Sequence, residues 1–509
     1  MNKRKALINI LTSTIFKVII VIVTIFARSI LMQQIGEEAT GLFSLYTSII
    51  GFLAIAELGV GTAITFSMYK PIVNGEKNIV SALYYLYRKI YLIIFTVILS
   101  IGLLLTPFVP MLAKDNTGLF NIYGTYLLFL GAQVVTYLYA HKTSLINAHL
   151  DNYVTTTIHS LGLILTSVLQ IIVLHVTKNF TFFFLAIIAG NIFQWLVTAI
   201  IFNKKYKGYI NYNKTLDQEI KKDVVVKVKA LFLHRIGGLL VNTVDSLIIS
   251  AIIGVSILGF YSNYVAIMIG MVSVLSLVFN SITSIVGHSF AKNTKEVYLS
   301  QFKQIYVLNF VIAFIFFFGF FVVIDPLIII LFEEASVLPR DIVLIITINY
   351  FVQFMRQATL TFKDASGLFY QDRFKPLVEG IVNLILSLIL VYILGIQGVL
   401  IATIFTNLFI THTVEPFVLY RYGFESKVKN YYLINYGLMA FFTAFLVGIY
   451  YIPLPSFNNH FIDILVLGSG AVLISILFFG IVCLFSKNAR QYVVTLIVLA
   501  FTSLKSRGP

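Results

Sequence analysis

Charge and cysteine are both scarce in this sequence. Charged residues make up 11% of the 509 residues, hydrophobic residues make up 59%, and Cys483 is the only cysteine. A soluble domain carries about 25% charged residues, so a chain this apolar needs a bilayer around it. One cysteine excludes an internal disulfide and a multi-cysteine metal site within one chain. The sequence also lacks a phosphate-binding glycine loop, a nucleophile elbow and an HExxH motif. We therefore expect no enzyme activity, no cofactor and no metal centre.

Long apolar runs, in contrast, are abundant. Runs long enough to cross about 30 Å of hydrocarbon recur along the whole chain. They predict an all-α polytopic membrane protein with about 14 transmembrane helices. We expect these spans at 7–33, 41–66, 89–113, 121–141, 153–177, 181–202, 232–253, 259–288, 303–332, 341–362, 378–394, 397–418, 432–452 and 461–485. A final segment, 490–504, is expected to lie along the membrane surface.

The basic residues fall mainly on one side of the predicted spans. With the amino terminus in the cytoplasm, 29 of the 36 Lys and Arg residues are cytoplasmic, three are external and four lie within spans. Cytoplasmic loops of membrane proteins carry this excess of positive charge. We therefore expect both termini in the cytoplasm, and we attribute the formal net charge of +15 to topology, with no nucleic-acid partner.

A repeat with an offset of 218 residues divides the chain. GEEATGLFSLY, which begins at Gly36, matches GVSILGFYSNY, which begins at Gly254, and Lys17 matches Arg235 at the same offset. The longest loop separates the two copies, so we predict two parallel six-helix lobes related by a pseudo-twofold axis along the membrane normal. A chance match in apolar sequence is the alternative. The predicted organisation is an N-lobe with spans 1–6 at 1–202, a basic cytoplasmic linker at 203–231, a C-lobe with spans 7–12 at 232–420, and two extra C-terminal helices, spans 13–14, with a cytoplasmic tail at 421–509.

Cations inside the predicted spans are the first candidate functional residues. A charge at mid-bilayer costs about 2.5–3.5 kcal/mol, so it usually faces a wet or paired interior. Arginine suits phosphate groups because its fork donates two hydrogen bonds. In span ten, polar residues also recur on the helical face of Arg356. We predict that a cavity between the lobes binds a large anionic substrate through Lys17, Arg28, Arg235, Asn349, Gln353, Arg356 and Lys363. Snorkelling to the nearest interface is the alternative for Lys17, Arg28 and Arg235.

Two deep anions and four glycines complete the set of candidate residues. Glu57 and Asp245, with Asn242 one turn before Asp245, are predicted to bind a coupling cation, because the sequence contains no ATP-binding motif. Pairing with an intramembrane cation is the alternative, and Arg28 opposite Asp245 is the pair to test first. The glycines are predicted to form the six-residue external turns that join spans one to two and seven to eight. These gate or structural glycines are Gly36, Gly41, Gly254 and Gly259.

Three segments resemble a known family. GLFSLYTSIIGFLAIAELGVGTAITFSMYKP (41–71), DASGLFYQDRFKPLVEGIVNLILSLILVYILGIQGVLIATIFTN (364–407) and VEPFVLYRYGF (414–424) resemble the bacterial polysaccharide-export family. This family contains the Wzx-type flippases of the multidrug/oligosaccharidyl-lipid/polysaccharide exporter superfamily. The resemblance implies alternating access and export of a polyprenyl-diphosphate-linked oligosaccharide, a capsule, exopolysaccharide or O-antigen repeat unit, across the bacterial cytoplasmic (inner) membrane. It also implies coupling to H+ or Na+, and it highlights Asp372 and Arg373, which we interpret as a cytoplasmic gate or a helix start.

Membrane lipids, a polysaccharide polymerase and glycosyltransferases are the other expected partners. Two alternatives remain open. One is a multidrug or cation exporter of the same superfamily, which would have 12 spans and an acidic cavity. The other is a non-transporting membrane scaffold for polysaccharide assembly.

Overall fold

The computed structural model describes residues 3–57, 60–211, 218, 220, 222, 243–292, 294–368 and 370–485. Within these ranges the chain is helical and contains no strand. The predicted linker lies largely outside the described residues, and the predicted surface segment lies wholly outside them. The α-helices are α1 Lys3–Ile35, α2 Glu37–Leu53, α3 Val60–Val73, α4 Lys77–Leu105, α5 Val109–Leu112, α6 Ile122–Val135, α7 Ala140–Ala148, α8 Asn152–Thr177, α9 Phe180–Lys205, α10 Val255–Lys292, α11 Lys295–Phe332, α12 Arg340–Met355, α13 Gln357–Ala365, α14 Lys375–Leu394, α15 Ile396–Thr406, α16 His412–Val418, α17 Lys429–Tyr450 and α18 His460–Phe485.

Twelve of the 14 predicted membrane spans are matched by helices of the structure. Among the described residues, 12 helical stretches are long and apolar enough to cross a membrane, and they correspond to predicted spans 1, 3–6 and 8–14. The seventh predicted span is described only over its last part, the short apolar helix Thr243–Ile253. The second, predicted as one helix, is divided into α2, a 3₁₀ turn at Ala54–Glu57 and α3. The chain is therefore an all-α polytopic membrane protein.

The chain divides into two compact units. The first comprises Met1–Val274 and Arg373–Ala402. Within it α1 packs against α8, α9 packs against α6 and α8, and α3 packs against α4 and α7. Its core contains the fully buried Tyr46, whose ring lies 5.6 Å from that of Tyr126 and whose hydroxyl donates to the Ile122 carbonyl. Buried aromatic side chains thus hold α2 against α6.

The second unit comprises Leu275–Asp372 and Thr403–Pro509. Its central helix is α11, which packs against α12 and α18. Phenylalanine rings fill the interior, and the Phe351 and Phe442 rings stack with centroids 3.7 Å apart. The helices of predicted spans 13 and 14, α17 and α18, belong to this unit. The predicted division into an N-lobe and a C-lobe at the linker stays a prediction.

Two spans break at equivalent positions of the repeat. In the fourth span, α6 is followed by a 3₁₀ turn at Thr136–Leu138. In the tenth span, α12 ends at Met355 and α13 begins at Gln357. Leu138 and Arg356, which lies at the second break, are 218 residues apart. Breaks inside transmembrane helices expose backbone groups and occur where a helix lines a cavity or a binding site. The offset found in the sequence therefore recurs in the helix geometry.

The turn between α1 and α2 is much shorter than predicted. Helix α2 begins at Glu37, so Gly36 alone reverses the chain, with a φ angle of 105°. Gly254 occupies the equivalent place before α10, with a φ angle of 157°. Both angles lie in the region that favours glycine, which has no Cβ to clash. The prediction of six-residue turns was wrong, because one glycine at positive φ suffices and helix geometry resumes at once.

The other two glycines of the repeat form a reciprocal helix crossing. A Cβ atom on Gly41 of α2 would overlap the carbonyl oxygen of Val255 at the start of α10. A Cβ atom on Gly259 of α10 would overlap the carbonyl oxygen of Glu37 at the start of α2. Val255 and Glu37 are themselves repeat partners, so each copy makes the same contact with the other. Glycines permit this close approach of two helix backbones. A pseudo-twofold axis through the crossing would produce such a pair of equivalent contacts.

This crossing predicts that Gly41→Ala and Gly259→Ala destabilise the protein. Each added methyl group would overlap a backbone oxygen, and overpacking of this kind costs about 1–3 kcal/mol. Thermal unfolding of the purified protein, followed by circular dichroism, should show lower melting temperatures. Gly131→Ala is the matched control, since open space surrounds that helical glycine. Melting temperatures equal to that of Gly131→Ala would contradict the crossing.

Candidate functional site

Arg28 of α1 lies at the glycine crossing. Its Nε donates a 2.8 Å hydrogen bond to Oδ1 of Asn263, and its Nη2 donates to the hydroxyls of Ser44, at 3.1 Å, and Ser262. Ser44 and Ser262 are repeat partners, each eight residues after the turning glycine of its own copy. One guanidinium nitrogen therefore joins equivalent positions of the two copies. Asn263 is fully buried and holds the other edge of the guanidinium.

Arg28 neither reaches towards the membrane surface nor pairs with Asp245, the two alternatives that the sequence left open. The guanidinium turns inward to bond α2 and α10, so it does not snorkel towards the nearest membrane surface. Its hydrogen bonds go to Asn263, Ser44 and Ser262 rather than to Asp245. All three acceptors are uncharged, and Arg28 has no ion pair within the described residues. Its positive charge is thus solvated by neutral groups and is not cancelled by a carboxylate.

The remaining predicted residues of the first unit are more dispersed. Lys17 lies on an exposed stretch of α1, and Asp245 is buried, with 8% of its surface exposed. Arg235 and Asn242 lie outside the described residues. Their predicted roles, like the role of Asp245 in cation binding, stay predictions.

The second unit holds a compact group of buried charges. Arg356, at the break between α12 and α13, donates to both carboxylate oxygens of Glu415 at 3.2 and 2.6 Å. Lys363 of α13 pairs with Asp372 and has the Glu415 carboxylate 3.9 Å away. Lys363, Asp372 and Glu415 are each at most 3% exposed. Two cations and two carboxylates therefore largely neutralise one another inside the unit.

This group joins residues that the sequence analysis assigned to different roles. Lys363 was predicted to bind substrate and Asp372 to form a gate, yet they pair with each other. The predicted polar stripe of span ten holds in its first half, where Gln353 donates to Asn349 at 3.1 Å. The helix break at Arg356 interrupts it. Arg373 stacks on Phe374, with its guanidinium carbon 4.8 Å from the ring centroid.

Glu57 faces a large polar cavity in the first unit. It ends the 3₁₀ turn that divides the second span, and its Oε1 accepts a 2.5 Å hydrogen bond from Tyr91. The Tyr91 ring meets the Tyr87 ring edge-on at 4.4 Å, and the Tyr87 hydroxyl accepts from Ser144 at 3.0 Å. The side chains thus form a line of hydroxyl groups that leads to one carboxylate.

The cavity has a volume of about 930 Å³. Among its described lining residues, eight carry hydroxyl groups, two carry amides, one is a carboxylate and none is basic. The lining residues are Ala54, Glu57, Gly61, Thr65, Phe66, Tyr69, Tyr87, Tyr91, Ala140, Thr143, Ser144, Asn147, Asn152, Thr155 and Thr156. Such a lining suits a neutral or cationic group with many hydrogen-bonding atoms and repels an anion. The volume lies near the upper end of the range of about 300–1,000 Å³ for small-molecule sites.

Sequence reasoning found Glu57 but missed the residues around it. Tyr87 and Tyr91 are four residues apart on one face of α4, which is a readable signal. Ser144, Asn147 and Asn152 carried no such signal, because they reach the cavity only through the packing of α7 and α8 against their neighbours. Among the described residues, no three His, Cys, Asp or Glu side chains lie close enough together to hold a metal ion.

The fold is shared with transporters of known structure. A multidrug resistance MATE family transporter of the MOP superfamily, in an inward-facing conformation, superimposes with a TM-score of 0.64 at 14% identity, over 80% of this chain and 98% of that one. The lipid II flippase MurJ, in an inward closed conformation, superimposes with a TM-score of 0.60 at 12% identity, over 91% of this chain and 99% of that one. A mutant of the Vibrio cholerae MATE transporter VcmN gives 0.54 at 13% identity, over 89% and 100%. No family model and no curated protein sequence matches the chain. The chain has the fold of these transporters.

The buried pair in the second unit predicts a stability effect. Asp372→Ala should destabilise the protein by about 3–5 kcal/mol, because it leaves the buried Lys363 with only Glu415 at 3.9 Å. Thermal unfolding of the purified protein measures the loss. Glu334→Ala, which removes an exposed carboxylate outside this group, is the control.

The double variant Lys363→Met/Asp372→Leu completes this test. It should be more stable than Asp372→Ala, since no unpaired charge remains in the interior. A double variant less stable than Asp372→Ala would show that the ion pair is not the source of the loss.

Proposed function

We propose that the protein is a flippase for a polyprenyl-diphosphate-linked oligosaccharide. The substrate is a repeat unit of the capsule, exopolysaccharide or O-antigen type. It moves from the cytoplasmic to the external leaflet of the bacterial cytoplasmic membrane by alternating access, with both termini of the protein in the cytoplasm. The shared fold supports a transporter, since a lipid II flippase and multidrug transporters have it. The polysaccharide polymerase and glycosyltransferases of the same assembly route are the expected partners.

The observation that carries this proposal is the uncancelled charge of Arg28. Within the described residues its guanidinium has only neutral hydrogen-bond acceptors, all on Ser44, Ser262 and Asn263. A lone cation inside the membrane is costly and is generally kept for function. Its Nη1 has no hydrogen-bond acceptor among the described residues, and we propose that it binds a phosphate oxygen of the substrate. Arg356 and Lys363 differ, because carboxylates already pair with them.

The polar cavity of the first unit suits the sugar part of the substrate. Sugars present hydroxyl groups for hydrogen bonds and C–H faces for aromatic rings. Hydroxyls, amides and the rings of Tyr69, Tyr87 and Tyr91 offer both kinds of contact. None of the described lining residues is basic, so we place the diphosphate elsewhere, at Arg28 and at the predicted cations Lys17 and Arg235. Glu57 and Asp245 remain the proposed sites for a coupling H+ or Na+.

One observation favours a second candidate, export of organic cations. A carboxylate beside tyrosine rings, with no basic residue in the lining, can also bind an ammonium group. Transport of a cationic dye by the reconstituted protein, with no movement of lipid-linked oligosaccharide, would select this function. The flippase proposal accounts better for Arg28, which would repel a cation.

The proposed function predicts a specific lipid intermediate. Deletion of the gene should cause a lipid-linked oligosaccharide to accumulate on the cytoplasmic leaflet. Mass spectrometry of extracted lipids, and protection of the oligosaccharide from a membrane-impermeant glycosidase in intact cells, measure this. Oligosaccharide fully accessible from outside in the deletion strain would contradict the proposal.

Arg28 predicts a charge requirement. In proteoliposomes carrying a fluorescent lipid-linked oligosaccharide, Arg28→Gln should abolish flipping, and Arg28→Lys should retain part of it. Lys178→Gln, at an exposed position, is the control. Ser44→Ala/Ser262→Ala removes the hydroxyl partners but keeps the cation, so it separates charge from packing. Full flipping by a folded Arg28→Gln variant would remove Arg28 from the site.

Glu57 predicts gradient dependence. If its carboxyl group carries the coupling ion, Glu57→Gln should flip substrate at a rate that no longer responds to collapse of the proton or sodium gradient. Tyr91→Phe removes the 2.5 Å hydrogen bond but keeps the carboxyl group, so it should keep the response. A wild-type rate that ignores collapse of both gradients would leave Glu57 without this role.

A further inference from the structure

A second cavity of the first unit carries charge of the opposite kind. It has a volume of about 320 Å³ and shares no lining residue with the polar cavity. Its lining combines two cations, a histidine, two tyrosines and the only tryptophan of the chain. The lining residues are Tyr84, Arg88, Leu92, Tyr137, Leu138, His141, Lys142 and Trp195.

The two cations of this cavity have no counter-ion among the described residues. No acidic residue lines the cavity, and neither Arg88 nor Lys142 forms an ion pair within the described part of the chain. Lys142 instead lies over the ring of Phe202, with its Nζ 5.7 Å from the centroid. Two like charges at one cavity repel, and the repulsion is stronger near apolar protein than in water. An anion between them would remove this cost.

A buried histidine lies among the aromatic rings at the same place. His141 is 6% exposed, and its Nδ1 has no hydrogen-bond partner among the described residues. The ring is held edge-on against Tyr84 at 5.3 Å, and Tyr84 stacks on Phe202 at 5.5 Å. Packed aromatic rings therefore form one wall of the cavity beside the two cations.

The position of the cavity along the helices matches the headgroup layer. Arg88 and Lys89 directly precede 23 residues without a charge, 90–112, which span about 35 Å at 1.5 Å per residue, close to the hydrocarbon thickness of about 30 Å. Arg88 therefore lies at the end of the apolar stretch, next to the headgroup layer. Tryptophan and tyrosine are enriched at this interface. Trp195 is 37% exposed at the cavity, as an interfacial side chain would be.

We propose that this cavity binds the phosphate group of an anionic membrane lipid. Arg88 and Lys142 supply the charge, and Trp195 contacts the lipid below its headgroup. Basic cavities between transmembrane helices bind anionic headgroups in this way. The volume suits a headgroup and is too small for a lipid-linked oligosaccharide. The site does not depend on the flippase proposal.

The single tryptophan provides the test, because its fluorescence reports on this cavity alone. The full-length protein is placed in phosphatidylcholine vesicles that contain either brominated phosphatidylglycerol or brominated phosphatidylcholine at equal mole fraction. Bromine quenches tryptophan on contact, so Trp195 should be quenched more strongly by the glycerol lipid. Arg88→Gln and Lys142→Gln should each lower this preference about fivefold, as expected for one surface cation.

Matched variants separate a built site from general surface charge. Lys89→Gln removes an exposed cation from the same helical turn that does not line the cavity, and it should keep the preference. Arg88→Lys should keep most of it. Equal quenching by the two lipids would overturn the proposal, and so would an equal loss in Lys89→Gln and Arg88→Gln.

A competition experiment identifies the source of the phosphate. Unbrominated polyprenyl diphosphate is added to vesicles that already show the preference. Unchanged quenching supports a bilayer lipid as the occupant. Relief of quenching would overturn the assignment to a bilayer lipid. It would show that the cavity binds phosphate but that the occupant is the diphosphate of a carrier lipid.

Discussion

The close approach of α2 and α10 is the contact on which the candidate site depends. Gly41 and Gly259 let the two helix backbones touch, each against the first residue of the opposite helix. Only at this separation do Ser44 and Ser262 come within reach of one guanidinium group. Larger side chains at the crossing would move the hydroxyls apart and leave Arg28 without part of its support. Backbone packing, rather than an ion pair, therefore places the cation.

The ionisable groups inside the protein are compensated in three different ways. Arg356 and Lys363 have carboxylate partners and contribute little net charge. Glu57 has a tyrosine hydroxyl, which satisfies one oxygen but leaves the charge. Arg28 has only neutral acceptors in the part of the chain that the structure describes. A buried group with an oppositely charged partner thus stabilises the fold. A buried group whose charge is not neutralised can bind a ligand or an ion.

The sequence predicted the helical class, the approximate spans and the repeat, because these follow from hydropathy and from residues at a constant offset. It also singled out Arg28, Glu57, Arg356 and Lys363 as unusual, since charges in apolar runs are visible without a structure. It could not predict their partners. Asp372 reaches Lys363 through the bend after α13, and Asn263 reaches Arg28 through the helix crossing. Such contacts depend on tertiary packing, and the helix breaks at Ala54–Glu57 and Arg356 leave no clear mark in the hydropathy.

The position of Arg28 at the crossing distinguishes a fused chain with two repeats from a dimer of two identical halves. Two identical halves, paired around the same axis, would carry this arginine twice, and the two guanidinium groups would compete for the same pair of serines. In the fused chain the equivalent position is Ser246, so one arginine serves both copies. Joining two halves in one polypeptide thus permits an odd number of charges beside a twofold axis, an arrangement that no dimer of identical subunits can adopt.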